Sequence, residues 1–260
     1  METVRDKVAL VTGGASGIGF AMVCELLKNG TKGVSIVDIS EESAQTALSE
    51  LGDERVTFIK TDVSCKEQLQ AAFDKTVERY HQLDIVVNNA GIVDEIDWKR
   101  TIDINLIAVI EGTYLAIQEY LPKYKSGVEG VIVNTASVLG LCPLQSTPIY
   151  STSKNGVIGL GRSLGGEKFY DEYQVRVLTI CPGFVDTPMT RVKSNPSKAL
   201  FPDSMSEDIK KINKFAIKAE KVGQALIEVI KMGENGSLWV VEDDDPPYQV
   251  VIPHRKSMKV

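Results

Sequence analysis

The stretch that decides the fold is Lys7-Val8-Ala9-Leu10-Val11-Thr12-Gly13-Gly14-Ala15-Ser16-Gly17-Ile18-Gly19. Lys7–Thr12 is a short apolar β-run, and glycines at 13, 14, 17 and 19 follow it at once. Gly17–Lys28 then has helical spacing through Ile18, Met22, Leu26 and Leu27, and Asn29-Gly30 is a suitable stop. Glycine lets the backbone turn sharply and come close to a pyrophosphate. The helix behind it offers free N–H groups and a partial positive charge. A strand, a glycine turn and a helix in this order form a dinucleotide cradle.

The next strand strengthens the reading. Gly33–Val37 is apolar and ends in Asp38, nineteen residues beyond Gly19. An acid there can hydrogen-bond a ribose 2′-hydroxyl and repels a 2′-phosphate. No arginine or lysine stands at 39, 40 or within the glycine turn, so NAD is expected over NADP. The competing role for Asp38 is a charge at the start of the following helix. Asp62, after a third strand Val56–Lys60, can accept from an adenine amino group or serve as an ordinary helix cap.

Outward from there the chain keeps alternating. Helices are expected at Glu41–Leu51, with Ser40 as N-cap, at Lys66–Tyr80, and over a long stretch from Trp98 to Tyr120. Strands are expected at Asp84–Val87, Gly130–Thr135, Val175–Ile180 and Ser237–Val241, with a helix Pro148–Phe169 between the second and third of these. Helical stretches around Ser206–Phe215 and Lys218–Met232 precede the last strand. Strands alternating with helices imply right-handed βαβ units and a parallel sheet. The expected fold class is α/β, a single doubly wound Rossmann-type domain over 1–260. The irregular, proline-bearing region 186–214 fits a substrate lid, and 242–260 forms a tail.

The second informative group is Ser137, Tyr150 and Lys154. Oxidising an alcohol requires the hydroxyl proton to leave with the hydride. A phenol takes a proton only as phenolate, and free tyrosine titrates near 10. A nearby ammonium favours the phenolate. Positions i and i+4 share a helix face, so Tyr150 and Lys154 can address one cleft. Ser137 can hold the substrate oxygen from the other side. A Tyr-x-x-x-Lys pair alone is more often incidental on a solvated helix; behind a glycine turn, with a serine after a strand, it reads as a proton-transfer device.

Composition excludes other classes. The 260 residues are 43% hydrophobic and 25% charged with a net charge of −6, ordinary for a soluble globular domain and poor for nucleic-acid binding. No apolar run is long enough to span a membrane. Cys24, Cys65, Cys142 and Cys181 lack metal-ligand spacing and read as free thiols of a reducing compartment. Neither His81 nor His254 has a neighbour suited to a metal site or a Ser-His-Asp triad. With no N-terminal signal pattern, a cytoplasmic location is expected.

Thr12–Gly19, Asn88-Asn89-Ala90-Gly91, Asn105, Ser137, Tyr150-x-x-x-Lys154 and Pro182-Gly183 together resemble the short-chain dehydrogenase/reductase family over nearly the whole chain. The similarity is greatest to its NAD-dependent 15-hydroxyprostaglandin dehydrogenase branch, through Leu83–Gly91, Asn105–Tyr114 and Ile180–Val185, and to its insect alcohol dehydrogenase branch near Asn235–Trp239. The resemblance implies a seven-stranded parallel sheet, Tyr150 as acid/base, Lys154 as its electrostatic partner and ribose ligand, and Ser137 as holder of the substrate oxygen. It also implies that Asn105 positions a water beside Lys154 and that Thr187 meets the nicotinamide amide. The expected cofactor set is Gly13, Ser16, Gly17, Ile18, Gly19, Asp38, Ile39, Asp62, Val63, Asn89, Ala90, Gly91, Tyr150, Lys154, Pro182, Gly183, Val185 and Thr187. The expected substrate set is Ser137, Leu139, Gln145, Thr147, Tyr150 and Phe184, with Val138, Leu144, Met189, Leu200 and Phe201 nearby. The prostaglandin branch carries a glutamine three residues before its tyrosine; here that position is Thr147. The expected reaction is hydride transfer between NAD and a medium-sized apolar secondary alcohol or ketone. A catalytically silent dinucleotide-binding scaffold or sensor is the alternative. The small residues of the Pro148–Phe169 helix and the family likeness imply a homodimer or homotetramer.

Overall fold

Alternating side chains decide where each strand sits. In β1 (Val8–Thr12), Val8 and Leu10 enter one core cluster while Ala9 and Val11 enter the other. A strand apolar on both faces belongs in the middle of a sheet covered on both sides. β2 (Gly33–Asp38), β4 (Ile85–Asn88), β5 (Gly130–Thr135) and β6 (Val175–Pro182) are buried almost throughout for the same reason. β3 (Val56–Lys60) is more open, β9 (Leu238–Val241) is buried, and β10 (Tyr248–Val250) is largely exposed. The computed structural model describes residues 1, 3–52, 54–191, 199–212 and 215–259.

These strands form one sheet in the order β10-β9-β6-β5-β4-β1-β2-β3. All neighbours pair in parallel except β10, which runs antiparallel on β9 with Gln249 opposite Trp239. The seven expected parallel strands are present, and β10 adds an eighth from the segment expected to be a tail. Two short strands, β7 (Val185–Asp186) and β8 (Ile217–Lys218), pair separately.

Helices α1 (Gly17–Lys28) and α2 (Glu41–Leu51) cover one face. The other face takes α3 (Lys66–Tyr80), a continuous helical run α4 (98–124) and α5 (Pro148–Leu164). Two π-helical turns, Asp103–Ile107 and Leu115–Tyr120, interrupt α4. α6 (Glu167–Tyr173) is separate from α5: the expected single helix breaks at Gly165-Gly166, where two poor helix formers adjoin. Beyond β6 come α7 (Pro188–Arg191), α8 (Pro202–Ile212) and α9 (Ala219–Met232), the last packing beside α1. The helix expected around Ser206–Phe215 is present as α8 but begins earlier, at Pro202, and α7 is a short helix within the stretch expected to be irregular. Residues 192–198 and 213–214 of the expected lid lie outside the described residues.

The order places the site. From β1 the chain moves outward to β2 and β3, then crosses back to β4 on the other side of β1. Connections diverge above β1 and β4, and open α/β sheets bind ligands in the crevice at that switch point.

Candidate active site

The crevice is lined by Gly13, Ser16, Gly17, Ile18 and Gly19 from the turn and by Asp38 and Ile39 at the end of β2. Asp62 and Val63 follow from beyond β3, Asn89–Ile92 from beyond β4, and Thr187 from the far side. Thr12 fastens the two central strand ends. Its hydroxyl accepts from Asn89 N–H at 2.9 Å and Ala90 N–H at 3.1 Å, while Asn89 Nδ2 donates to Thr12 O at 3.0 Å.

The turn is shaped to admit a phosphate group. Gly13 has φ +64, and a Cβ on it would meet Ala90 Cα at 2.9 Å. A Cβ on Gly19 would meet Gly13 O at 2.1 Å. At the start of α1, Ser16 makes no side-chain cap bond and the first turn holds no acid. Its N–H groups and positive end thus remain available to an anion. Asp38 is fixed by two backbone donors, Ala15 N–H at 3.1 Å and Ser40 N–H at 3.0 Å, one on each oxygen. A carboxylate accepts about four hydrogen bonds, so capacity is left for a ribose. These residues fit a dinucleotide with a free 2′-hydroxyl. Asp62 accepts from the Ser64 N–H and hydroxyl at 3.0 and 2.6 Å, so it closes the turn into α3 while lining the crevice.

Ser137, Tyr150 and Lys154, expected to transfer the proton, do not themselves line the crevice; they meet behind Gly91, which does, and a Cβ on Gly91 would lie 3.5 Å from Lys154 Nζ. Ser137 follows β5, caps a 3-10 turn (Val138–Gly140) and accepts from Leu139 N–H at 3.1 Å. Lys154 is buried, donates to Thr135 O at 2.8 Å, and holds its Nζ 5.7 Å from the centre of the Tyr150 ring. Burial pushes the Tyr150 phenol up to about 12, with a hydrogen bond from Ser137 pulling the other way. Burial pulls Lys154 down to about 8. In the protein alone desolvation outweighs the attraction expected between the two side chains and shifts both toward the neutral form, so at pH 7 Tyr150 is a phenol while Lys154 is still mostly protonated.

Lys154 therefore costs stability. Moving a base from its ordinary 10.5 to about 8 corresponds to about 3 kcal/mol at about 1.4 kcal/mol per pH unit. Lys154→Met forfeits the bond to Thr135 O, about 1–2 kcal/mol. The net gain of about 1–2 kcal/mol should still raise Tm by roughly 2–8 °C at pH 7 while abolishing turnover. The unfolded chain binds the proton more tightly, so the wild type gains stability as pH rises from about 8 to 10.5. The gap between the two proteins, followed by calorimetry, should be full below pH 8, close within that window and reverse above it, where the neutral amine keeps its bond to Thr135 O.

Asn105 sits in the first π-turn, a distortion frequent at functional sites. Its Oδ1 accepts from Ile92 N–H at 2.8 Å, and its Nδ2 donates to Ile92 O at 2.9 Å and Ser153 Oγ at 3.2 Å. The side chain thus pins the crevice wall to α5. A Cβ on Gly91 would lie 3.3 Å from Asn105 Oδ1 and 3.5 Å from Lys154 Nζ, so all three converge.

Other expected residues stand apart. Val185 packs in the core, Pro182 is buried within β6, and a Cβ on Gly183 would face Glu242, so none of the three lines the crevice. The side chains of Pro182 and Val185 serve packing instead. Leu139 and Thr147 are buried, Phe184 is half-buried and Gln145 is exposed. The Thr147 hydroxyl is buried without a hydrogen-bond partner. Met189 lines the crevice and is exposed. Leu200 and Phe201 are exposed but do not line it.

Three contributors were not singled out from the sequence. Arg100 of α4 reaches the crevice beside Ile104. Cys181 is buried beside the trio, where desolvation raises its thiol to about 12 against the pull of the Ser137 amide and Lys154. Glu95 is buried against the start of α5. No signal of spacing or periodicity marks any of them.

Residues 7–198 match the family model of the short chain dehydrogenases, and the chain belongs to that family. It is 44% identical over 190 residues to the 15-hydroxyprostaglandin dehydrogenase of Mus musculus, a protein whose name specifies NAD(+); this covers 72% of the chain and 70% of that protein. It is 34% identical over 241 residues to alcohol dehydrogenase 1 of Ceratitis cosyra, covering 92% of each. A solved short chain dehydrogenase/reductase from Burkholderia phymatum in complex with NAD superposes with a TM-score of 0.77 at 25% identity, covering 88% of this chain and 87% of that one. Both branches expected from the sequence appear among the relatives.

Proposed function

We propose that the chain is an NAD-dependent dehydrogenase of secondary alcohols, equally a ketone reductase in reverse. The observation that carries this is the meeting of Tyr150, Ser137 and Lys154 behind Gly91, a residue of the same crevice that is lined by Asp38. NAD, when bound, supplies the acceptor for the hydride. The chain's residues do the rest. The glycine turn and the N-terminus of α1 hold the pyrophosphate; Asp38 holds the adenosine ribose; Lys154 holds the other ribose. Ser137 fixes the substrate oxygen, and Tyr150 takes its proton during oxidation or returns it during reduction. Asn105, with Ile92 and Ser153, holds the wall against α5.

The apolar Leu139, Phe184 and Met189, with Leu200 and Phe201 of the 186–214 lid, favour a medium-sized apolar substrate such as a lipid, terpenoid or steroid alcohol. NADH formation with a panel of secondary alcohols tests this. Efficiency should be highest on apolar members, and higher efficiency on sugars or charged hydroxy acids would overturn it. Silence across the panel would favour a dinucleotide-binding scaffold.

One domain over 1–260, acting in the cytoplasm as a homodimer or homotetramer, completes the reading. Among the described residues no helix is long and apolar enough to cross a membrane, and all four cysteines are free. Ile107 and Tyr114, seven residues apart on α4, are exposed, and Leu106 packs over Gly156 of α5. Such a face suits a second copy. Light scattering at micromolar concentration should give at least a dimer, and a monomer would refute the assembly.

A further inference from the structure

The helix that carries Tyr150 begins without a cap of its own. Thr147, at its N-cap, makes no side-chain bond to the first turn, and Pro148 has no N–H. Ser151 N–H is already bonded to Thr147 O at 3.0 Å. That leaves two free donors, Ile149 and Tyr150. Glu95, from a loop more than fifty residues earlier, takes both: Oε2 accepts from Ile149 N–H at 2.8 Å and Oε1 from Tyr150 N–H at 3.0 Å. Its side chain is buried, at 1% exposure. A buried carboxylate costs free energy unless hydrogen-bonded, and here two backbone donors and the positive end of a 17-residue helix meet it.

Glu95 is itself held on both sides. Asp94 Oδ1 accepts from Ile96 N–H at 3.2 Å and Asp97 N–H at 3.0 Å, and Thr101 Oγ1 donates to Asp94 O at 2.6 Å. Upstream, Ile92 is pinned by Asn105. On the far side of the Tyr150 peptide, Ser153 Oγ donates to Tyr150 O at 2.7 Å and accepts from Asn105 Nδ2 at 3.2 Å. The Tyr150 backbone is therefore clamped at its N–H by Glu95 and at its C=O by Ser153, and both clamps lead back to the loop that walls the crevice.

We propose that Glu95 is a positioning residue: its carboxylate sets the height and tilt of the first turn of α5 and so the placement of the Tyr150 hydroxyl relative to the crevice. The inference rests on the dehydrogenase reading for its kinetic test but not for its structural one. A misplacement of about 1 Å can cost about 10²-fold in rate. Glu95→Ala should lower kcat by about that factor, with the Kd for NAD within about twofold of wild type, because the glycine turn and Asp38 are untouched. Glu95→Gln keeps one acceptor and nearly the same volume, so its loss should be intermediate. It is also the deciding variant if the alanine protein does not fold. By hydrogen exchange, the amides of 149–150 should be slow in the wild type and faster in both variants.

Unchanged kcat in Glu95→Ala, or losses in kcat and NAD affinity by the same factor, would overturn the proposal, since a purely structural role moves both together. If the wild type itself turns over no alcohol, the dehydrogenase reading fails, and the exchange rates at 149–150 still decide whether Glu95 holds the turn.

Discussion

Tyr150→Phe should fold, bind NAD as the wild type does, and lose turnover. The substitution removes one hydroxyl from a half-buried ring and leaves Ser137, Lys154 and the clamps on the Tyr150 peptide in place. Loss of general acid–base catalysis costs about 10²–10⁴-fold. The upper end is expected, because the groups close to the phenol are poor substitutes. Lys154 is directed at Thr135 O, and the Cys181 thiol is raised to about 12. The measurements are kcat/KM on the preferred alcohol and the Kd for NAD. Near-normal turnover would remove Tyr150 from the proton-transfer role.

The second large effect is cofactor choice. The wild type should prefer NAD over NADP by roughly 10²-fold in kcat/KM, a difference of about 3 kcal/mol. A 2′-phosphate would meet the Asp38 carboxylate held by Ala15 and Ser40 N–H, and repulsion plus a lost hydrogen bond supply that much. Asp38→Ala should narrow the preference, chiefly by weakening NAD. Ile39 lines the same crevice and is 52% exposed, so adding Ile39→Arg places a solvated cation there and should begin to reverse the order. Equal use of the two cofactors by the wild type would contradict this reading. Arg100, also at the crevice, would then be the first residue to substitute.

The cradle was legible because its chemistry is local. One turn of chain carries Gly13, Gly17 and Gly19, and Asp38 follows at the end of the very next strand. Tyr150 and Lys154 were legible because four residues on a helix bring two side chains to one face. Glu95 was not, since its two partners lie beyond two intervening elements and only tertiary packing joins them. β10 was hidden for a different reason. Tyr248–Val250 is short, follows Pro246-Pro247 and is mostly exposed, so it lacks the apolar run that marks the buried strands; pairing with β9 makes it a strand. The π-turn at Asn105 was likewise invisible, because periodicity reports that a helix is present and not which carbonyl each N–H chooses.

The place of β1 has a consequence for synthesis. Its partners are β2 and β4, and β4 begins at Ile85. When β1, β2 and β3 leave the ribosome they can pair at once, but the other side of β1 still presents unpaired backbone groups. At about 5–20 residues per second, the gap from Thr12 to Ile85 keeps that apolar edge open for roughly 4–15 seconds. An unpaired apolar strand edge is a template for aggregation. The nascent chain is therefore most exposed to misassociation while its future centre is still a border, and most in need of chaperone cover until residues 85–88 arrive.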